Sequence, residues 1–255
     1  MSWSERPCRG GARLLVHQRR SLEPCSALWD LRRVPVCSST EILLKQWLVQ
    51  TPQLQRPRAV LARHQRWGVG QRGRVWQAPV GGVWLSAALP VVAGDAAPAG
   101  AGLWGLAVAL ALAERLEQVG VAVRIKWPND LLVDGRKLAG VLPGLVQRGT
   151  RLRLLRCGVG LNVSNPVPAG GVALRRLLPA ATPEFWASEL LLALEAGITK
   201  LREPAHLLTQ VQNRLWADEV VDPADGGLWR VDGLSPAGGL QLRRGLELTE
   251  WVRWP

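Results

Sequence analysis

The stretch from residue 121 to 163 constrains the fold of this chain more than any other. Two apolar segments, Val121–Trp127 and Leu131–Val133, precede Asp134-Gly135, a dipeptide typical of the two-residue turn of a β-hairpin. Two further β-type segments follow, separated by a second turn at Arg148-Gly149. Strands joined by such short turns must pair antiparallel, because a parallel pair needs a long crossover. The stretch therefore predicts an antiparallel meander.

The rest of the chain predicts helices and strands around this meander. Ser38 and Glu41 have the spacing of a capping box, which predicts a helix over 39–50. Thr182 and Pro183 are typical of the cap and first position of a helix, here running to about Arg202. The other predicted elements are a buried helix over 103–119 and strands over 58–67, 83–92, 121–127, 131–133, 136–146 and 152–163. Short strands with glycine turns after Trp216 predict a small β module. We therefore expect an α+β fold with a mixed, largely antiparallel sheet and helices packed on it.

Composition excludes several classes of protein. With 255 residues, 47% of them hydrophobic and 20% charged, the chain is globular rather than disordered. The longest apolar run, 102–113, is too short to span a bilayer. The four cysteines lack metal-ligand or redox spacing and indicate ordinary thiols of a reducing compartment. The Arg-rich first 35 residues are compatible with an organelle transit peptide or with an irregular N-terminal strand. We expect a cytoplasmic protein that does not enter membranes.

The charge balance points to an anionic partner. The formal net charge is +12, but the arginines are spread along the chain without a basic-helix motif. An anionic small molecule explains this charge as well as a nucleic acid does, and both interpretations stay open on composition alone.

Two of the four lysines lie in one short segment. Lys126-Trp-Pro-Asn-Asp130 is followed by Gly135-Arg-Lys137-Leu-Ala-Gly140, in a chain that otherwise uses arginine for positive charge. A lysine offers a compact, mobile ammonium, which suits phosphate or carboxylate chemistry. Asp130 follows a strand, where its carboxylate could hold Mg²⁺ beside a nucleotide. The alternative is that Asp130 merely ends a strand and that Lys137 is a solvated edge charge.

Two glycine-containing segments complete the candidate site. Glycines at 68, 70 and 73 allow the loop that ends at Trp76 to turn its backbone N–H groups toward a phosphate. The loop is not a dinucleotide fingerprint, because no helix follows it, and a plain turn is the alternative interpretation. Gly158-Val-Gly160-Leu-Asn162 is a strand whose Asn162 is placed to bond a purine or phosphate, or simply to end a close-packed strand.

In order along the chain, four segments resemble motifs of the biotin protein ligase (biotin–[acetyl-CoA-carboxylase] ligase) family. They are Ser39-Thr40, Gln65 with the loop to Trp76, the Lys126–Asp130 and Arg136–Gly140 pair, and Gly158–Asn162. The resemblance implies a class II synthetase-like catalytic domain over 36–212, after an extension over 1–35. It also implies a small SH3-like β domain over 213–255.

The resemblance implies biotin and ATP as substrates, with Mg²⁺ and a biotinyl-5′-AMP intermediate. By match to the family motifs, the residues expected at biotin are Ser39, Thr40, Gln65, Gly70, Gln71, Trp76, Lys137, Leu138 and Gly140. Those expected at ATP or the adenylate are Gly68, Arg72, Arg74, Trp76, Asn129, Asp130 and Asn162. Lys137, Asp130 and Lys126 are expected to be catalytic, with Asp130 also holding the metal.

The chain departs from the family pattern at three positions. Val69 and Gln71 stand where the usual loop has arginines, and Glu41 stands where Asn often follows Ser-Thr. Losing one charge-assisted phosphate contact typically costs about 1.5–3 kcal/mol. The loop thus predicts a slower or leakier ligase, while a capping-box role would explain Glu41.

The macromolecular partner implied by the family is a biotin carboxyl carrier protein, a subunit of acetyl-CoA carboxylase. No helix-turn-helix pattern occurs before the first motif, so we expect a monofunctional ligase that does not bind DNA, as a monomer or homodimer. The alternatives are a lipoate ligase-like acyl-adenylating enzyme and a catalytically weakened biotin-binding module.

Overall fold

The computed structural model describes residues 28–91, 101–149 and 151–254, which form two β-sheets and four α-helices. The large sheet has eight strands in the order β1-β2-β4-β8-β7-β6-β5, with β3 paired to β2. Only β1 and β2 are parallel in this sheet, so the predicted mixed, largely antiparallel architecture is confirmed. Its strands are β1 (Asp30–Cys37), β2 (Arg58–Val69), β3 (Val75–Ala78), β4 (Val83–Pro90), β5 (Arg124–Lys126), β6 (Asp130–Val133), β7 (Arg136–Arg148) and β8 (Arg151–Leu161).

The first strand was predicted only as an alternative for the N-terminal residues, an irregular strand without stated bounds. β1 crosses the predicted boundary between the N-terminal extension, 1–35, and the catalytic domain, 36–212. It pairs parallel with β2. The helix α1 (Thr40–Gln50) forms the crossover that connects the two strands, as a parallel pair requires. Because β1 is an edge strand in which only Leu31 is buried, it shows no apolar alternation in sequence.

The predicted helix at 39–50 is present, but its predicted cap is wrong. Ser39, not Ser38, is the N-cap, and its side chain accepts a hydrogen bond from the backbone N–H of Glu41. The Glu41 carboxylate does not close a capping box. It binds Arg156 of β8 instead, which is a tertiary contact that local sequence does not reveal.

The central helix α2 (Ala101–Glu117) is buried on nearly all sides between the sheet and α3 (Pro183–Lys200). Leu106, Leu110 and Leu112 have 1% or less of their surface exposed, as expected for a helix that is apolar all round. Thr182 caps α3 and Pro183 occupies its first turn, as predicted. A short further helix, α4 (Pro204–Gln212), was not predicted.

The predicted meander is confirmed. Val133 pairs with Arg136, so the loop consists of Asp134 (φ 48°) and Gly135 (φ 72°) alone. Positive φ at both central positions is the type I′ geometry that the dipeptide favours. β7 and β8 then form the longest ladder of the sheet and place Gly140 opposite Gly160.

The C-terminal residues form the predicted small β module, an antiparallel sheet in the order β12-β11-β10-β9. Its strands are β9 (Glu219–Val221), β10 (Leu228–Leu234), β11 (Leu240–Arg244) and β12 (Glu247–Trp251). The module packs against the main domain, since the Trp127 indole donates to the Gly238 carbonyl at 2.9 Å. No helix within the described part of the chain is long and apolar enough to cross a bilayer.

Candidate functional site

A cleft of about 490 Å³ opens between the β2–β3 hairpin and the β6–β7 hairpin. Most of the residues predicted for the site line it. They are Ser39, Thr40, Gln65, Gly70, Gln71, Arg72, Arg74, Trp76, Lys126, Asn129, Asp130, Lys137 and Gly140. Gly68, Leu138 and Asn162 are not among the lining residues, and Leu138 is fully buried in the core. Residues more than 90 positions apart in the sequence therefore meet in one site.

At the centre of the cleft, Lys137 Nζ lies 2.6 Å from Asp130 Oδ2. The Lys137 side chain is 37% exposed and the Asp130 side chain 19%, so the pair is partly shielded from water but still open to the cleft. The same ammonium lies 4.9 Å from the centre of the Trp76 ring. A mobile cation beside a carboxylate and an aromatic wall can approach an anionic ligand and neutralise it.

A β-bulge turns Lys137 toward Asp130. Asp130 pairs with Gly140, and strict alternation would place the side chain at 137 on the opposite face of the sheet. The register shifts between Leu131 and Leu132, however, so that Lys137 pairs with Leu132. One extra residue reverses the facing of every side chain beyond it, which brings Lys137 and Asp130 onto one face.

The backbone of Lys137 is held from both sides. Its N–H donates to the Gly170 carbonyl at 2.8 Å, and its carbonyl accepts from the Val172 N–H at 3.0 Å. The side-chain amide of Asn162 also donates to the Lys137 carbonyl, at 3.3 Å, and its oxygen accepts from Asn165. Asn162 thus lies behind Lys137 and supports it, instead of facing the cleft as predicted.

The inner end of the cleft is a buried hydrogen-bonded cluster. Gln65 Oε1 accepts from the Thr40 backbone N–H at 2.7 Å and lies 3.0 Å from the Thr40 hydroxyl. That hydroxyl lies 2.8 Å from the Ser86 hydroxyl. Ser39, Thr40, Gln65 and Ser86 are each less than 9% exposed. Buried polar groups are costly unless bonded, and these groups bond one another where they line the cleft, so they present a fixed polar surface to it.

Trp76 lies across the paired glycines of β7 and β8. A Cβ atom at Gly140 would come within 2.9 Å of the Trp76 ring, and one at Gly160 within 2.5 Å. Both distances are shorter than real Cβ contacts, so the ring needs glycine at both positions. The Trp76 indole nitrogen is buried without a hydrogen-bond partner among the described residues.

The glycine-rich loop is a short connection between β2 and β3. Val69 pairs with Val75, and residues 71–73 form one 3₁₀ turn. Arg72 adopts φ 58° and ψ 30°, a left-handed conformation that is uncommon for a residue with a side chain. Arg72 and Arg74 both line the cleft and supply positive charge there.

Several site residues were missed by sequence reasoning. Ser86 could have been found, because it is the single hydroxyl in the apolar strand Val83–Pro90. Trp254 could not, because only the packing of the C-terminal module brings its ring to 5.5 Å from Lys126 Nζ. The Glu41–Arg156 ion pair at the inner end also had no sequence signal.

The acidic groups of the cleft suit a metal ion that is bound together with a nucleotide. The described residues include no group of three or more His, Cys, Asp or Glu that could hold an ion. Asp130 Oδ1 is nevertheless buried without a hydrogen-bond partner within 28–91, 101–149 and 151–254. Mg²⁺ is commonly bound by one or two carboxylates together with substrate phosphates and water. Asp130 therefore fits a Mg²⁺ ion that arrives with a nucleotide.

Comparison with known proteins places this site in context. The profile of the "Biotin/lipoate A/B protein ligase family" matches residues 34–162, which is more than half of the 255-residue chain. The bifunctional ligase/repressor BirA of Escherichia coli (strain K12) is 33% identical over 167 residues, covering 65% of this chain and 46% of that protein. The biotin–[acetyl-CoA-carboxylase] ligase of Paracoccus denitrificans is 38% identical over 127 residues, or 49% of this chain and 50% of that protein.

Solved structures extend the likeness to the whole fold. The biotin protein ligase of Aquifex aeolicus in complex with biotin and ATP superimposes with a TM-score of 0.72. That match has 21% sequence identity and covers 88% of this chain and 96% of the other, so it demonstrates a shared fold. The chain spans about half the length of the curated relatives it matches.

Proposed function

The chain belongs to the biotin/lipoate A/B protein ligase family, and from this membership and the geometry of the cleft we propose that it is a biotin protein ligase. The chemistry would take place in residues 36–212 together with the earlier part of β1, and the β module within 213–255 would complete one wall. The proposed substrates are biotin and ATP, and the proposed product is a biotinylated carrier protein.

One observation carries this proposal. Lys137 Nζ lies 2.6 Å from Asp130 Oδ2 in a cleft that is also lined by the polar cluster with Thr40 and Gln65 and by the basic loop with Arg72 and Arg74. A ligand with a polar head, an apolar body and a terminal carboxylate would reach from the inner end to the lysine. A triphosphate would reach from the lysine to the arginines. The two reacting groups would then meet at Lys137.

In the first step, a carboxylate oxygen of biotin attacks the α-phosphorus of ATP. The bond between this phosphorus and the bridging oxygen breaks, giving biotinyl-5′-AMP and pyrophosphate. Two anions must approach each other, and the Lys137 ammonium would reduce their repulsion and stabilise charge on the α-phosphate. Trp76 would form the wall beside the adenylate, and Asn129 and Lys126 would support the phosphate end.

In the second step, the neutral ε-amine of a carrier lysine attacks the carbonyl carbon of the mixed anhydride. An amide forms, AMP leaves, and the amine loses a proton. The proposed carrier is a biotin carboxyl carrier protein, as the name of the Paracoccus relative suggests.

Mg²⁺ would be held by Asp130 Oδ1 together with nucleotide phosphates. The ion supplies charge neutralisation to the leaving pyrophosphate when it is bound. Asp130 would in addition orient the Lys137 ammonium through its other oxygen.

We propose a protein as the macromolecular partner, not DNA or a membrane, and a cytoplasmic location. Several arginines in the described part of the chain are paired with carboxylates of the fold. These ion pairs are Arg115–Glu189, Arg156–Glu41, Arg214–Glu117, Arg243–Asp232 and Arg244–Asp225.

Biotin-dependent ATP–pyrophosphate exchange on the purified chain tests the proposal. Exchange with biotin and none with lipoate is the expected result, and Lys137→Ala should abolish most of it. Lys200→Ala is a matched control, because that lysine pairs with Glu114 outside the cleft.

Other outcomes would separate the alternatives. Exchange supported by lipoate but not biotin would assign the chain to lipoate activation. Tight biotin binding without exchange would make it a binding module in which Val69 and Gln71 have removed the adenylation chemistry.

A further inference from the structure

We propose that Glu41 is a specificity-determining residue that accepts a hydrogen bond from a ring N–H of the substrate head, while Arg156 holds its carboxylate in place. The proposal rests on the proposed function and deepens it, because it selects a cyclic urea over a dithiolane. Both ring types occur among substrates named for this family, which handles biotin and lipoate.

Glu41 lies at the inner end of the cleft and not on the solvent face of its helix. It follows Ser39 and Thr40 in the first turn of α1, and its side chain lines the cleft while only 13% exposed. Ser86 and Gly158 line the same end. A carboxylate in such a place must either be paired completely or be ready for a ligand.

Arg156 approaches Glu41 from behind the cleft wall. Its Nη1 donates to Glu41 Oε1 at 2.6 Å, its side chain is 19% exposed, and it is not a lining residue. The Trp104 indole donates to the Arg156 backbone carbonyl at 2.8 Å, which anchors this part of β8. The guanidinium therefore compensates the charge of Glu41 and restrains the position of its carboxylate.

The pairing leaves acceptor capacity on the carboxylate. Arg156 and the more distant Lys45, at 3.6 Å, both approach Oε1. An ionised carboxylate has about four lone-pair sites, so Glu41 can accept further N–H bonds at the cleft side.

The neighbouring groups supply the complementary donor. Gln65 uses its amide oxygen to accept from Thr40, which leaves its NH₂ group to donate to a ligand carbonyl. A donor and an acceptor side by side match a cyclic urea, in which a C=O is flanked by two N–H groups. A dithiolane ring offers neither group, and it would leave Glu41 and Gln65 facing sulfur. Sites built to bond a polar group strongly reject the analogue that lacks it.

The test uses Glu41→Gln, which keeps the shape of the side chain and removes its charge. Calorimetric titration without ATP would measure the dissociation constants of biotin and of 2-iminobiotin. The latter is a cyclic guanidine that is cationic at neutral pH and donates from the same ring. Charge-assisted hydrogen bonds are roughly twice as strong as neutral ones, so the variant should lose on the order of tenfold more affinity for 2-iminobiotin than for biotin.

Glu184→Gln is the matched control. Glu184 also lies in the first turn of a helix and faces an arginine of a strand, Arg33 at 3.8 Å, but it does not line this cleft. Its replacement should leave both dissociation constants unchanged. Thermal denaturation of each variant checks folding, and Glu41→Asp, which keeps the charge, should not show the extra loss of affinity for 2-iminobiotin.

The outcomes are distinguishable. Equal loss of affinity for the two rings in Glu41→Gln would overturn the inference, since Glu41 would then only brace α1 against β8. Biotin binding and exchange by the unaltered chain would still support the ligase in that case. A chain that binds neither ring and shows no exchange with biotin would overturn the proposed function and this inference together.

Discussion

The two hairpins that face each other across the cleft are built differently. In the β6–β7 hairpin, Asp130 and Lys137 are paired, and the Lys137 backbone is bonded on both sides by Gly170 and Val172. The β2–β3 hairpin carries the substituted loop, with Val69 and Val75 exposed and Arg72 in a left-handed conformation. The comparison indicates that the Lys137–Asp130 pair, the proposed reacting centre, is preorganised, while the loop proposed to cover the nucleotide carries Val69 in place of the arginine usual in the family. Rate should therefore depend on the first hairpin and retention of the intermediate on the second.

Of the substitutions that test this difference between the hairpins, Asp130→Asn should reduce the rate of pyrophosphate exchange the most. The variant keeps the size of the side chain but removes the charge that orients Lys137 and would hold Mg²⁺. We expect the rate of pyrophosphate exchange to fall on the order of a hundred- to a thousandfold, with a higher Mg²⁺ requirement. Asp134→Asn is the control on the same hairpin, because Asn-Gly also favours the type I′ turn. An exchange rate near that of the control would show that the carboxylate is not part of the reacting centre.

Gly160→Ala tests the wall between the hairpins. The added methyl would lie 2.5 Å from the Trp76 ring and must displace it. We expect on the order of a tenfold to hundredfold loss of exchange and an overpacking cost of about 1–3 kcal/mol in the free energy of unfolding. Gly102→Ala, in a helix with nothing within 4 Å of the new atom, should change neither quantity for the worse. If Gly160→Ala changed the exchange rate and the free energy of unfolding no more than Gly102→Ala does, the position of Trp76 would not depend on a glycine at 160.

Val69→Arg restores the residue usual in the family and should strengthen the weaker hairpin. A charge-assisted contact to the adenylate would slow its release on the order of ten- to a hundredfold, with a smaller effect on the exchange rate. Release of radiolabelled biotinyl-5′-AMP measures this directly. Val80→Arg adds the same charge at an exposed position outside the cleft and controls for net charge. An unchanged release rate in Val69→Arg would mean that retention does not depend on this position.

Trp254→Ala would have the smallest effect. Loss of the cation–π contact with Lys126, worth about 0.5–1 kcal/mol at an exposed site, should raise the KM for ATP by roughly two- to fivefold at nearly constant kcat. Leu246→Ala, at a fully exposed position of the same module, should leave both constants unchanged. A fall in kcat with no change in KM would place Trp254 in the reacting centre instead of the ATP-binding wall.

Sequence reasoning predicted most of the large sheet because its turns are chemically explicit. Asp134-Gly135 has few alternatives to a tight hairpin turn, so the meander and its approximate bounds follow. It gave no bounds for β1, only an irregular N-terminal strand as one alternative, because an edge strand with one buried residue lacks apolar alternation. It also missed α4, whose nine residues are too few to show a clear helical period.

The candidate site was predicted in part, from the types of residue that lie near the hairpin turn. Lys126 and Lys137 were identified because lysine is scarce in this chain, and Asp130 because it lies between them after a strand; all three line the cleft. Asn162 was expected to face the ligand, but its side chain is used by Lys137 and Asn165. A polar residue at a strand end looks alike in sequence whether it serves a ligand or a neighbouring backbone.

The amino-acid sequence alone determined which chemical groups are available, the family, and the antiparallel meander that carries them, because turn chemistry and motif spacing are local. Tertiary structure decided which of those groups meet. One bulged residue puts Lys137 on the face of Asp130, and packing over long sequence separations brings Arg156 to Glu41 and Trp254 to Lys126. The reason is that side-chain facing and long-range contacts depend on strand register and on the packing of the whole core, neither of which is encoded in any short segment.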